Sequence, residues 1–203
     1  MISLRNWSLF LCLLLAWPAG AQLLSPVGAS KTLQLKVRDY FAQLPDSIVP
    51  YLSTNNRLDM LDFWDSNMKM EVKNNLDGHS QLMALSDKSL TVQFNEASRL
   101  EMVLLDTQVP VDSASQLICL IRTLGTDICE STVSFYSVRW RPLPVSDYLP
   151  MSEGVCVAVW QDDSETLTLT DSHALDRPAN EEQKLLNKTL TTLKWNGETF
   201  NKY

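Results

Sequence analysis

The spacing of apolar positions changes period along the chain. From Leu33 onward, Leu33, Val37, Tyr40, Phe41 and Leu44 fall on one helical face, and Pro45 ends the run. A connector over 45–51 leads to Asn55 or Asn56, either of which can cap a second helix carrying Leu58, Leu61, Phe63, Trp64 and Met68. Asp65 and Lys69 stand i, i+4 on its exposed side, and Asn74-Asn75 with Asp77-Gly78 closes the helical region.

After Gly78 the period is two. Leu90, Val92 and Phe94 alternate with Thr91, Gln93 and Asn95, and Leu100, Met102 and Leu104 alternate with Arg99 and Glu101, the mark of half-buried strands. Residues 117–121 and 155–160 are apolar throughout, which predicts two central strands covered on both faces. Residues 131–140 are β-branched and aromatic, and Asp163-Ser164 turns the chain into a strand over 166–170. A short helix is expected over 180–188. Beyond it, Asn196-Gly197 predicts a type I′ hairpin in which Leu193 faces Phe200 on the side of Trp195.

Helices followed by many strands, without βαβ alternation, imply an α+β fold: two N-terminal helices packed on a mostly antiparallel sheet, a short C-terminal helix and a final β-hairpin. The prolines between 142 and 150 read as a long crossover loop, because the 53 residues beyond them are too few to cover a strand on both faces alone.

Composition alters this picture at the N-terminus. Arg5, an apolar run over 7–17 and Pro18-Ala19-Gly20-Ala21 form the tripartite pattern of a signal peptide cleaved after Ala21. That apolar run is shorter than the ~20 residues needed to span a bilayer. The expected organisation is a signal peptide over 1–21 and a single α+β domain over 22–203, with no transmembrane segment after cleavage. Cleavage shortens the chain from 203 to 182 residues and moves its charge from -7 to -8. So acidic a chain lacks the basic stripe that nucleic acid requires. Three cysteines would remain, Cys119, Cys129 and Cys156; a hairpin about Gly125 would set Cys119 opposite Cys129, either as a disulfide or as two buried thiols.

One long pattern resembles a known family. The run Asn56-Arg57-Leu58-Asp59-Met60-Leu61-Asp62-Phe63 is followed by Asp77-Gly78, Glu101-Met102, Asp112-Ser113, Arg122, Phe135-Tyr136 and Trp140-Arg141-Pro142-Leu143. Together these resemble the domain-of-unknown-function 3256 family of exported proteins from Bacteroides-like bacteria, most clearly between residues 41 and 143. The resemblance implies the envelope of a Gram-negative bacterium, periplasm or cell surface, and carries no catalytic residue with it.

The candidate chemistry is sparse. Asp59, Asp62 and Asp65 recur at i+3 as an acidic ridge, able to approach a cation or to form a solvated helix face. The two histidines are His79, after Asp77-Gly78, and His173, between Asp171 and Asp176; an Asp-His pair can orient a general base. Trp140 and Arg141 stand at a strand end, where an aromatic can stack on a sugar or a peptide. No Gly-x-Ser-x-Gly, His-Glu-x-x-His, phosphate-binding loop or dinucleotide fingerprint occurs, so no cofactor is expected. The sequence therefore favours a non-catalytic envelope protein that binds a protein partner or an extracellular ligand, with Trp140, Arg141, Asp59, Asp62 and His79 as contact candidates. A metal-dependent or hydrolytic enzyme using the ridge or a histidine is the first alternative, and a carrier of an apolar ligand, a lipid, the second.

Overall fold

The computed structural model describes residues 35–69, 71–126, 128–150, 156–171 and 189–203. The expected signal peptide, the helix over 180–188 and His173 lie outside the described residues. What is described is mainly β: eleven strands in two antiparallel sheets, with two α-helices.

Helix α1, Val37–Ala42, buries Val37, Tyr40 and Phe41 and stops short of Pro45, as the spacing predicts. Helix α2, Thr54–Asp65, starts one turn earlier in its cap than expected. Ser53, rather than Asn55 or Asn56, is the N-cap: its Oγ accepts the Asn56 N–H at 3.2 Å, and Asn56 Oδ1 accepts the Ser53 N–H at 3.1 Å. The expected Asp65–Lys69 pair does not form. Asp65 ends the helix and receives both terminal nitrogens of Arg38, while Lys69 pairs with Glu71.

The first sheet is a seven-stranded meander, each strand pairing with the next: β1 Glu71–Lys73, β2 His79–Leu85, β3 Ser89–Asn95, β4 Ser98–Val111, β5 Ala114–Leu124, β6 Glu130–Ser137 and β7 Pro142–Leu143. It begins before Gly78. Asn74 to Gly78 is thus a hairpin turn rather than the end of a helical region, with Asn74 Oδ1 accepting the N–H groups of Leu76 and Gly78. Three residues with one buried side chain, Val72, are too short for alternation to reveal β1.

The proline-rich segment contains a 3₁₀ turn, Val145–Asp147, and precedes the second sheet. That sheet comprises β8 Cys156–Gln161, β9 Thr166–Asp171, β10 Thr189–Trp195 and β11 Phe200–Lys202, in the order β11-β10-β9-β8. Strand β8 is therefore an edge, not the sheet centre its apolar run suggested; Cys156, Ala158 and Trp160 pack toward the other sheet, and Val157 is buried as well. The final hairpin forms with a longer loop than a type I′ turn. Trp195 pairs with Phe200 and Leu193 with Lys202; Gly197 alone has positive φ, and Asn196 Oδ1 accepts the N–H groups of Glu198 and Thr199.

Two cores result, one on each face of the first sheet. The helices share a core with Leu82, Leu90, Val92, Phe94, Leu100, Met102, Ile118 and Leu120, and they contact chiefly β1 to β4. On the opposite face Val103, Leu105, Cys119, Ile121 and Phe135 pack with Ala158, Leu167, Leu193 and Phe200 of the second sheet, which lies chiefly against β5 and β6. The two covers are staggered. Strands β4 and β5 are buried on both faces, which bears out the reading of residues 117–121 and corrects that of residues 99–104. Glu101, expected on a solvated face, is only 7% exposed; its Oε2 accepts the Trp160 N–H of edge strand β8 at 3.0 Å, and burial pushes its carboxyl pKa up.

Register rules out the disulfide and leaves the other alternative, two buried thiols, at Cys119 and Cys129. Cys119 pairs with Val103 and Phe135, whereas the β5–β6 ladder ends at Leu124–Glu130, next to Cys129. Some five rungs, roughly 17 Å, separate the two cysteines along the ladder, far beyond disulfide reach. Burial pushes the Cys119 thiol pKa up, so it behaves as a small hydrophobe.

Candidate functional site

The stagger leaves half of each face of the first sheet without a cover, and the face opposite the helices over β1–β3 is the larger opening. Register builds it. Glu71 pairs with Gln81 and Gln81 with Gln93, so three strands present one row of a carboxylate and two carboxamides. Val72, Ser80, Leu82, Val92 and Phe94 point into the helix-side core, so their neighbours in sequence face the other way. The β3–β4 turn, at Glu96 and Ala97, and Thr126 of the β5–β6 loop close one end, giving a shallow open groove of about 820 Å³.

Its electrostatics are mixed. The Lys69 ammonium, and to a lesser degree His79, holds the Glu71 carboxyl below the usual carboxylate range. His79 Nδ1 lies 3.9 Å from Glu71 Oε1, too far for a hydrogen bond, and the imidazole is exposed. Gln93 Nε2 donates to the Asn95 carbonyl, which fixes the orientation of that carboxamide. The neighbouring hydroxyl, Ser80 Oγ, is buried and donates to the Phe94 carbonyl at 3.1 Å, so it is not placed as a nucleophile for His79.

The five sequence candidates do not converge. His79 lines the groove. Asp59 and Asp62 are exposed on α2, on the other side of the sheet, and Asp65 is engaged by Arg38, so the ridge is a helix surface. Among the described residues no group of three or more His, Cys, Asp or Glu side chains is placed to hold a metal ion. Trp140 and Arg141 occupy the β6–β7 turn. Arg141 donates from Nε and Nη2 to the two carboxylate oxygens of Asp112, at 3.1 and 2.7 Å. That fork, with help from Ser137, lowers the Asp112 pKa to about 2. Trp140 has φ +64° and sets its ring 5.9 Å from that of Tyr136.

Sequence reasoning missed Glu71, Gln81 and Gln93. Gln93 is legible as an outward position of an alternating strand; the row it joins depends on register between three strands, which periodicity does not report.

Residues 31–199 match the model of a family described as "Protein of unknown function (DUF3256)". The chain belongs to this family. The match spans the stretch on which the sequence resemblance rests. A domain of an uncharacterized protein from Porphyromonas gingivalis W83 is similar to the family member described here, at TM-score 0.59 and 17% identity over 82% of this chain and 96% of that one. At that identity the likeness speaks for a shared fold. Among curated proteins none matches. Within the described residues no helix is long and apolar enough to cross a membrane.

Proposed function

We propose that this protein is an exported, non-catalytic binding protein of a Gram-negative envelope, whose signal peptide over 1–21 is removed to leave residues 22–203 as one α+β domain with its helices packed on the sheet. The observation that carries the binding role is the row Glu71–Gln81–Gln93 at the floor of an open groove. Carboxamides both donate and accept, so such a row matches the amides of an extended peptide or the hydroxyls of a glycan on a protein partner or extracellular ligand. An exposed His79 with neither a hydrogen-bonded acid nor a nucleophile beside it gives a hydrolytic reading less support. An apolar-ligand carrier is also less well supported, since both cores are filled and the space beside Trp160 and Trp195, between the two sheets, is about 70 Å³.

The test is site-specific photo-crosslinking in cells, with the probe at Gln81 or at Asp59. A discrete adduct from position 81 that is absent from position 59 supports the reading, and no adduct, or the same adducts from both, overturns it. Mass spectrometry of the same exported protein should find an N-terminus at Gln22.

A further inference from the structure

The second uncovered half-face lies on the helix side, over β6 and the end of β5 at Arg122 and Leu124, beyond the reach of α1 and α2. It forms a more enclosed groove of about 320 Å³, near the lower end of the size range of small-molecule sites. We propose that this groove is a second binding site, for a short acidic sugar whose carboxylate lies at Arg122 and whose ring lies toward Tyr136. The proposal is independent of the β1–β3 groove, which opens on the opposite face of the sheet.

Three observations support it. Arg122 alone among the lining residues carries a charge, a positive one in a protein of net charge -7. Its guanidinium donates from Nη2 to the Ile48 carbonyl at 2.5 Å, one of its five N–H donors, and its Nε is enclosed without a partner, so a carboxylate would be met by the remaining terminal N–H groups. Next, the ladder places Thr132 opposite Arg122, Ser134 opposite Leu120 and Tyr136 opposite Ile118, so one strand offers two hydroxyls and then an aromatic ring on the same face. From Thr132 to Tyr136 is roughly 14 Å, a span suited to a disaccharide rather than a single ring. Finally, Tyr136 is backed by Trp140, held by the β6–β7 turn at a φ that side-chain-bearing residues rarely adopt. The two rings together form an aromatic platform at the end of the groove away from Arg122.

The test titrates digalacturonate into ¹⁵N-labelled purified protein, with galactobiose as the neutral comparator. Saturable shifts at Arg122, Thr132, Ser134 and Tyr136, with galactobiose at least tenfold weaker, support the proposal. Leu124 lines the groove and is 52% exposed, so charge can be added there without disturbing the core. Leu124→Glu should weaken digalacturonate binding and Leu124→Lys strengthen it, each about fivefold for a unit charge about 8 Å away in an effective dielectric of about 40. Arg122→Gln should abolish binding with the circular dichroism unchanged; if that variant does not fold, the Leu124 pair decides. No saturable binding, equal binding of both sugars, shifts confined to the β1–β3 groove, or equal affinities of the two Leu124 variants overturns it.

Discussion

Removing the guanidinium of Arg57 should be far more damaging than removing its ionic partner. Arg57 lies on α2 yet is 1% exposed, and it donates to four acceptors: the Leu44 and Leu52 carbonyls, each at 2.6 Å, Asp46 Oδ1 at 3.0 Å and Thr54 Oγ1 at 3.1 Å. Asp46 is 66% exposed, so that ion pair is screened and contributes about 0–1 kcal/mol. The carbonyls differ, because each charge-assisted bond contributes about 1.5–3 kcal/mol and a buried carbonyl left unpaired has no water to turn to. Two of them give about 3–6 kcal/mol. The desolvation of a buried cation, and its partnerless Nε, offset part of that. Arg57→Met, which keeps an unbranched apolar stem and removes every donor, should therefore cost about 3–4 kcal/mol, or about 6–16 °C in Tm for a chain of this size. Asp46→Ala should cost no more than about 1 kcal/mol. Urea unfolding with an unchanged m-value is the assay. Equal losses for the two variants would show that the ion pair governs, and a neutral Arg57→Met would show that desolvation outweighs the carbonyl bonds; either result refutes the reasoning.

Three further outcomes are expected. Asp112 and Ser113 make the β4–β5 turn at φ 50° and 67°, so Ser113→Gly should relieve left-handed strain and stabilise by about 0.5–1 kcal/mol, read as a Tm rise of about 1–4 °C. Burial raises the Glu101 pKa above its unfolded value, so the fold binds the proton more tightly and stability declines as pH rises between the two values; Glu101→Gln should show a higher urea midpoint than wild type at pH 7 and lose that advantage at pH 4. Asp112 has the opposite sign: its contribution is present above the ordinary carboxylate value and lost as pH falls through about 2, and in Arg141→Ala its NMR titration midpoint should move up toward the ordinary value.

Much of the fold was legible because it rests on local periodicity. Val37, Tyr40 and Phe41 are buried as one helix face, with Leu44 buried just beyond the helix end, and the alternation of Leu90, Val92 and Phe94 lies on the helix-side core. The failures are tertiary. Residues 156–160 are apolar in both an edge strand packed on another sheet and a central strand, so composition does not separate the two. Glu101 reads as solvent-facing until a second sheet covers it, and Arg57 reads as the polar side of a helix until the 45–51 connector folds over it. The candidate sites were less legible still. Of the five named residues only His79 lines a groove, because a site spread over three or more strands is set by register between segments that no local window contains.

Both grooves follow from a single mismatch of widths. A seven-stranded sheet is too wide for a six-residue helix and a twelve-residue helix to cover on one face, or for a four-stranded sheet to cover on the other. The covers were not placed over the same strands. The helix-side core runs from β1–β4 onto Ile118 and Leu120 of β5, and the second sheet's core runs from β6 and β5 onto Val103 and Leu105 of β4, so β4 and β5 are shielded twice; among the described strands these are the longest, with fourteen and eleven residues. Had both covers sat on the same strands, each remaining strand would be bare on both faces and could not bury enough apolar surface to hold its place. With the stagger, every uncovered half-face is backed by a packed core. A rigid, solvated, polar strand face of that kind is what a binding surface requires, and the Glu71–Gln81–Gln93 row and the Arg122–Tyr136 groove both stand on one.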